Sequence, residues 1–525
     1  MKTIPADKIA SLNFLLGREP EKALALVEEL GAKYPDDPSF AVNKDPCLVD
    51  IGTALKKPEI VEKALSNILD RLANLPEKLE DFRHILEYNV GNAYYSLSRF
   101  SDQSYKDPFR GREQLTQAKI YHRKALLPPD SLFQPQGAQM YVNCGNALSS
   151  LGRPLEAIER YEKVLQFQPN HPIALGSLAL ELEQFYYTSR HPCLLLHSVD
   201  LLKQALGSSE IEDISGVGAR AHYEKNLDRI EKYLHSIEEQ VGKKFADQKA
   251  KEKGKGKEDP YISFCREHHL FLNFSLKNIG CQSIYDTVEP SSIVVPIMDN
   301  TIQKLIDRPI NEIKEKYVTS RLLFYEGTQL SNALLDEMTV FSDSLDYAVY
   351  GVESGKIKMA LEGAFNVLDK IAILLNNYMN LGISERRVSF THLWYTNQEK
   401  DRGLSQKIID TKSHRLYGLY DLARDFGEDP SFNRLKQMRD LSTHRYLVPH
   451  VEMIDAKAEP EGEAYHVYYP DLAKDALYLL KTARNALIYS ISYINEAESQ
   501  KAKHRTGMVA PMFRLPYKHY GFKPL

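Results

Sequence analysis

The segment MRDLSTHRYLVPH, residues 438–450, sets a guanidinium, a carboxylate and an imidazole close together in Arg439, Asp440 and His444. Laid out as a helix over Ser431–Val448 at about 100° per residue, it has two faces. With Met438 as the origin, Leu435, Leu441 and Val448 fall within about 80° of it and make an apolar stripe. Arg439 stands at about +100° and His444 at about −120°, with Asp440 and Thr443 between them on the far side. Asp440 and His444 are one turn apart, so the carboxylate can reach the imidazole and fix its tautomer. Arg439 lies roughly 7.5 Å along the axis from His444, a spacing at which both groups could flank one phosphodiester. A solvated polar face with no chemical task has the same spacing, so geometry alone leaves both readings open.

Elements that could position such a face are visible along the chain. AQMYVNCGNALSSLGRPLEAIERYEKVLQFQP, from Ala138 to Pro169, puts Tyr141, Gly145, Leu148, Leu151, Gly152, Ala157, Tyr161 and Pro169 where a tetratricopeptide repeat places its packing residues. Small residues let two helices approach, tyrosines fill the space beside them, and Pro169 stops the second helix. An earlier copy starts at LEYNVGNAYYSLSRF, with Gly91 matching Gly145, and continues in AKIYHRKALLPP; SDQSYKDPFRGRE interrupts it as an insertion on one face. Weaker copies lie on either side. Residues 1–245 are therefore expected to form a helical solenoid, with a protein or peptide partner or trigger on its concave face. The low-complexity KAKEKGKGKEDP marks a Lys/Gly-rich linker at 246–259; its lysines read as a solvated tether or as RNA phosphate contacts.

Beyond the linker, residues 260–350 read as a helical connector of unassigned role, and 351–525 as a helical bundle. KIKMALEGAFNVLDKIAILLNNYM carries apolar residues at Met359, Phe365, Leu368, Ile371 and Leu375. VSFTHLW is an extended connector. Helices follow near Leu404–Phe426 and Ser431–Val448, then a hairpin-like excursion in VEMIDAKAEPEGEAYHVYYP and a last helix over Asp471–Glu498. The fold class is all-α throughout.

Composition bounds the function. The chain has 525 residues, 43% of them hydrophobic and 26% charged, with a net charge of −4; this excludes a uniformly basic nucleic-acid coat but not a local basic patch. Lys481 and Arg484 interrupt the most apolar helix, DALYLLKTARNALIYSISYI, so no membrane span is expected. Five scattered cysteines suggest free thiols and a cytoplasmic location. Cys265, His268 and His269 supply three candidate ligands, but adjacent histidines on a helix diverge by about 100° and no second Cys/His pair is near; no metal and no cofactor is expected. His414 and His450 read as ordinary surface or loop histidines. No P-loop, GxSxG or HExxH string occurs.

RDLSTH resembles the motif of the HEPN ribonuclease superfamily (higher eukaryotes and prokaryotes nucleotide-binding): an Arg, a polar residue after it, three more residues and a His. Arg439, Asp440 and His444 match it in turn. FNVLDKIAILLNNYMNLGI, then VSFTHLWY, then the motif is similar to a bacterial HEPN branch fused to N-terminal tetratricopeptide repeats. The resemblance implies an all-α HEPN bundle, homodimerisation through it, and metal-independent endoribonuclease activity in a toxin or antiphage protein acting on tRNA or mRNA. It gives His444 the role of general base or acid and Arg439 that of holding the phosphate, while Asp440 orients His444. The products would be a 2′,3′-cyclic phosphate and a 5′-OH, and DNA would be inert. Ser442, Thr443 and Arg445 are candidate RNA contacts, Arg445 equally a plain surface residue. Asp369 and Lys370 either face the same cleft or are exposed ions. The competing class is a non-catalytic repeat adaptor whose HEPN domain binds nucleotides or proteins.

Overall fold

The computed structural model describes the chain except for residues 1–3, 17, 35–36, 101–106, 128–135, 190–191, 216–217, 242–258, 274–284, 291–293, 297–300, 332, 343–344, 430–431, 433, 436, 439–445, 453–463, 505–508 and 512–525. The expected linker at 246–259 lies almost wholly outside the described residues. The chain forms two compact units. One comprises residues 1–255, 278–282 and 412–421; the other comprises 256–277, 283–411 and 422–525. Both are predominantly helical. No helix among the described residues is long and apolar enough to cross a membrane.

The first unit is built from α1 (Ala6–Leu16), α2 (Pro20–Lys33), α3 (Pro38–Ala54), α4 (Pro58–Ala73), α5 (Arg83–Phe100), α6 (Glu113–Ala125), α7 (Gly137–Ser150), α8 (Pro154–Phe167), α9 (Pro172–Ser189), α10 (Pro192–Leu206), α11 (Ile211–Ser215) and α12 (Ala219–Val241). Six of these begin with proline, whose fixed φ suits a first turn and whose missing N–H would go unbonded there anyway. Each helix from α1 to α9 packs on the next, and α10 packs on α12, the nearest-neighbour pattern of a stacked array. Two glycines set the closeness. A Cβ on Gly91 would lie 2.3 Å from the His122 ring, and one on Gly145 would lie 2.5 Å from the Tyr161 ring. Tyr161 is buried, as its repeat position requires, whereas Tyr141 is only half-buried.

Residues 412–421 complete this unit. Phe109, in the insertion between α5 and α6, meets the Tyr417 ring edge-on at 5.4 Å. Arg112 lies over the same ring at 4.8 Å and donates to His414 Nδ1 at 2.9 Å. Gly152 turns the chain between α7 and α8 at φ +77°, which glycine adopts without strain, and its carbonyl oxygen would lie 2.0 Å from a Cβ on Gly418. Beneath this backbone contact, Asp421 accepts from Lys119 at 2.7 Å and from Arg153 at 3.0 Å, all three side chains being at most 1% exposed. Cys47 and Cys144 are free, but Cys193 is disulfide-bonded, which corrects the expectation of free thiols alone.

In the second unit, α13 (Pro260–Glu267), α14 (Thr301–Gln329), α15 (Ala333–Glu337), α16 (Val352–Tyr378), α17 (Gln406–Ile409), α18 (His414–Glu428, from Leu422 onward) and α19 (Tyr469–His504) occur in that order. Helices α14, α16 and α19 pack on one another. Their inner faces follow the helical period: Ile306, Ile310, Ile313, Tyr317 and Phe324; Ile357, Leu361, Ala364, Leu368 and Leu375; Leu472, Ala476, Leu480, Ala483 and Leu487. Met359, expected on the apolar face of α16, is 58% exposed instead. The connector of unassigned role is fastened to this core. Arg484, buried on α19, donates to the carbonyls of Phe271 and Asn273, and Arg321 on α14 donates to the Leu270 carbonyl and to Asp286.

Two expectations for the end of the bundle are corrected. The helix over Ser431–Val448 does not reach Val448, because Tyr446–His450 is a strand, β2; β1 is Val294–Pro296. Pro449 disfavours the helical conformation at Val448 and has no N–H to continue a helix. The hairpin-like excursion is a parallel pairing of β2 with β3 (Ala464–Tyr468), which a tight turn cannot make. Strand β4 (Val509–Pro511) pairs antiparallel with β1.

Candidate functional site

Arg439, Asp440, Ser442, Thr443, His444 and Arg445 lie outside the described residues. The chain on either side of them is described. Phe432, Leu435 and Met438 enter the core at a three-residue period, all at most 2% exposed. Phe432 packs against Phe426 at 5.3 Å and Tyr478 at 5.2 Å. Arg434 ion-pairs with Asp475 at 2.6 Å and Asp471 at 3.1 Å, tying this approach to the first turns of α19. Immediately after the motif, Tyr446 is 69% exposed, and β2 begins.

Tyr446 stands on the wall of a cavity of about 490 Å³, lined also by Asp346, Tyr350, Lys358, Glu362 and His466 and floored by apolar β2 residues. Lys358 and Glu362 are one turn apart on α16 and so share a face. Burial lowers the Lys358 pKa, with Glu362 opposing; burial raises that of Glu362, with Lys358 opposing. Both shifts bring the groups nearer to neutral pH, where a side chain can hold or move a proton. The sequence reading missed this pair, because KMALE looks like any exposed ion pair of an amphipathic helix.

Asp369 and Lys370 sit about two turns farther along α16. The Asp369 carboxylate accepts from the Phe390 N–H at 3.2 Å, and Lys370 pairs with Glu312 on α14. Neither is among the residues that line the cavity. Of the two histidines taken as ordinary, His414 is exposed at the start of α18, but His450 is 1% exposed on β2. Its Nε2 lies 2.7 Å from His466 Nδ1. Cys265 is buried, and His268 packs on Phe264.

A second cavity, of about 530 Å³, lies within the first unit among α1, α3, α5 and α7. Its lining is rich in carboxamides, including Asn43, Asn89, Asn92, Asn143 and Gln139. Asp50, a solvent-exposed residue of α3, lines it, and partial desolvation of the carboxyl raises its pKa to about 6.

Helices stacked pairwise thus precede, along the chain, a helical bundle in which a polar cavity lies beside the strand that follows an Arg-Asp-x-x-x-His string. Residues 300–497 match the family model described as LA2681-like HEPN, which supports the HEPN superfamily for this segment. The match spans α14 to α19, the motif and every residue lining the 490 Å³ cavity. No curated protein matches the chain.

Proposed function

We propose that this protein is a metal-independent endoribonuclease of the HEPN type, a toxin or antiphage effector controlled through its helical array. The observation that carries the reading is the LA2681-like HEPN match over a segment that contains Arg439, Asp440 and His444. His444 takes the proton of the ribose 2′-OH or gives one to the leaving 5′-oxygen. Arg439 holds the phosphate and stabilises the charge that grows on it. Asp440 orients His444, and Ser442, Thr443 and Arg445 contact RNA. Lys358 and Tyr446 offer a further cation and a stacking ring where the chain leaves the motif. The active form is a homodimer through the bundle, and the cell compartment is the cytoplasm.

The test is cleavage of RNA in EDTA by the full chain, followed by end-group analysis. Wild type yields 2′,3′-cyclic phosphate and 5′-OH ends and leaves DNA intact. Arg439→Ala and His444→Ala each lose about 100-fold or more, the scale of a lost acid–base or oxyanion group. Phage challenge of cells carrying wild type and variants supplies an activator if one is required. Equal function in wild type and both variants would instead favour the adaptor reading, which the 530 Å³ cavity of the first unit supports.

A further inference from the structure

Two strands and one flanking segment bring three potential ligands together on one side of β2. In the parallel register Val448 stands opposite His466 and His450 opposite Tyr468. Side chains two apart share a face, so His450 and His466 project to the same side. Along the other edge of β2, the Val349 N–H donates to the Pro449 carbonyl at 2.7 Å and the Val451 N–H to the Tyr347 carbonyl at 3.2 Å. Ala348 forms an antiparallel bridge with His450. This ladder carries Asp346 to the same place. One ligand atom from each of Asp346, His450 and His466 lies within 4.8 Å of the other two.

The hydrogen bonding around His450 sets its tautomer. Its Nδ1 is 2.8 Å from the backbone carbonyl oxygen of Asp346. A carbonyl only accepts, so Nδ1 carries the hydrogen. In the neutral ring Nε2 then holds a lone pair, aimed at His466 Nδ1. Metal-binding histidines use this arrangement, one nitrogen donating to a carbonyl while the other ligates. His450 is 1% exposed, so the donor is fixed before any ion arrives. The cavity beside the cluster, lined by Asp346 and His466 with Glu362 nearby, leaves room for water or an anion at the remaining coordination positions.

We propose that Asp346, His450 and His466 bind one divalent transition-metal ion of the zinc class, joining three separate stretches of chain around β2. Two imidazoles and a carboxylate suit such an ion better than Mg²⁺ or Ca²⁺, which favour all-oxygen sites. Tetrahedral ligation at ordinary bond lengths separates two ligand atoms by roughly 3.3 Å. The two ring nitrogens, now 2.7 Å apart, reach that separation by a small ring rotation. The ion takes no part in the cleavage proposed above; it holds the strand that emerges from the motif.

The experiment uses the full chain, stripped with chelator and dialysed, with Co²⁺ and Zn²⁺ as probes. Co²⁺ is expected to give ligand-field bands that saturate at one equivalent, Zn²⁺ to displace it, and either ion to raise Tm. Asp346→Asn and His466→Gln each weaken binding about tenfold or more, with unchanged far-UV circular dichroism. His450→Ala abolishes it, although loss of a buried ring can itself unfold the strand pair, so the first two variants decide. His235→Ala, on an exposed face of α12, leaves binding intact. Absence of the bands, or binding equal in Asp346→Asn, His466→Gln and wild type, overturns the proposal and leaves a His–His hydrogen bond. Metal binding without RNA cleavage sinks the nuclease reading alone; EDTA-resistant cleavage without metal binding sinks the site alone.

Discussion

His122 on α6 and Asp50 on α3, both in the first unit, respond to acid in opposite senses. His122 is fully buried; its Nε2–H donates to Asn92 Oδ1 at 3.1 Å, and burial lowers its pKa from 6.5 to about 3. The unfolded chain therefore takes up this proton first, so stability from neutral His122 is complete above about pH 6.5 and is lost as pH falls toward 3, by at most about 1.4 kcal/mol per unit. Asp50 has a raised pKa, so the unfolded chain ionises first and stability declines as pH rises from about 4 to 6. Tm measured across this range should show His122→Gln flattening the acid limb. Asp50→Asn should raise Tm at pH 7.5, by an amount that vanishes below pH 4. At the close contacts, Gly91→Ala and Gly145→Ala should each cost about 1–3 kcal/mol in urea unfolding, because the added methyl meets a ring. Gly145 and Tyr161 were legible in the sequence because repeat spacing encodes which small residue faces which large one. His450 was not, because nothing local in YLVPH tells a loop from a strand buried by segments 100 residues earlier and 16 later.

At the level of elements, the amphipathic period revealed α16, and α19 was read as the last helix, whereas α14 was read only as part of a helical connector. The period failed at β2. Leu435 and Met438 keep the helical stripe and are buried as expected, but beyond the motif the proline and the pairing with β3 prevail. A five-residue strand has too little sequence to outvote the helix before it. The place of residues 412–421 within the first unit was equally invisible: Asp421 is an unremarkable acid until Lys119 and Arg153 close on it. Removing it as Asp421→Ala leaves two buried cations without their shared anion and should cost about 3–5 kcal/mol. Replacing all three by apolar residues of similar volume should cost far less. Chemical denaturation of the three proteins tests this, and equal stability of wild type and the single variant would reduce the cluster to a bystander.

On the scale of the whole molecule, the two cavities belong to different units and differ in chemistry. The carboxamide-lined space around Asp50 suits a ligand rich in N–H donors, such as a peptide acting as the trigger. Asp50→Asn is expected to weaken activation by such a ligand at least about tenfold while leaving the basal level of the RNA cleavage proposed for the bundle unchanged. Ordered from N to C, the sequence suggests an array, a tether and a bundle joined like beads, and the longest departure is ten residues long. Because 412–421 belong to the first unit, the ribosome finishes most of that unit long before supplying its last piece. At ordinary elongation rates the wait is roughly 10–30 s, during which Lys119 and Arg153 lack the Asp421 carboxylate. A gene cut after residue 255 would therefore encode an unfinished fold, not an independent module. That fragment should melt earlier than the intact chain and regain stability when a peptide spanning 412–428 is added in trans. Evolution could not have swapped the front half for another helical array without carrying this splint along.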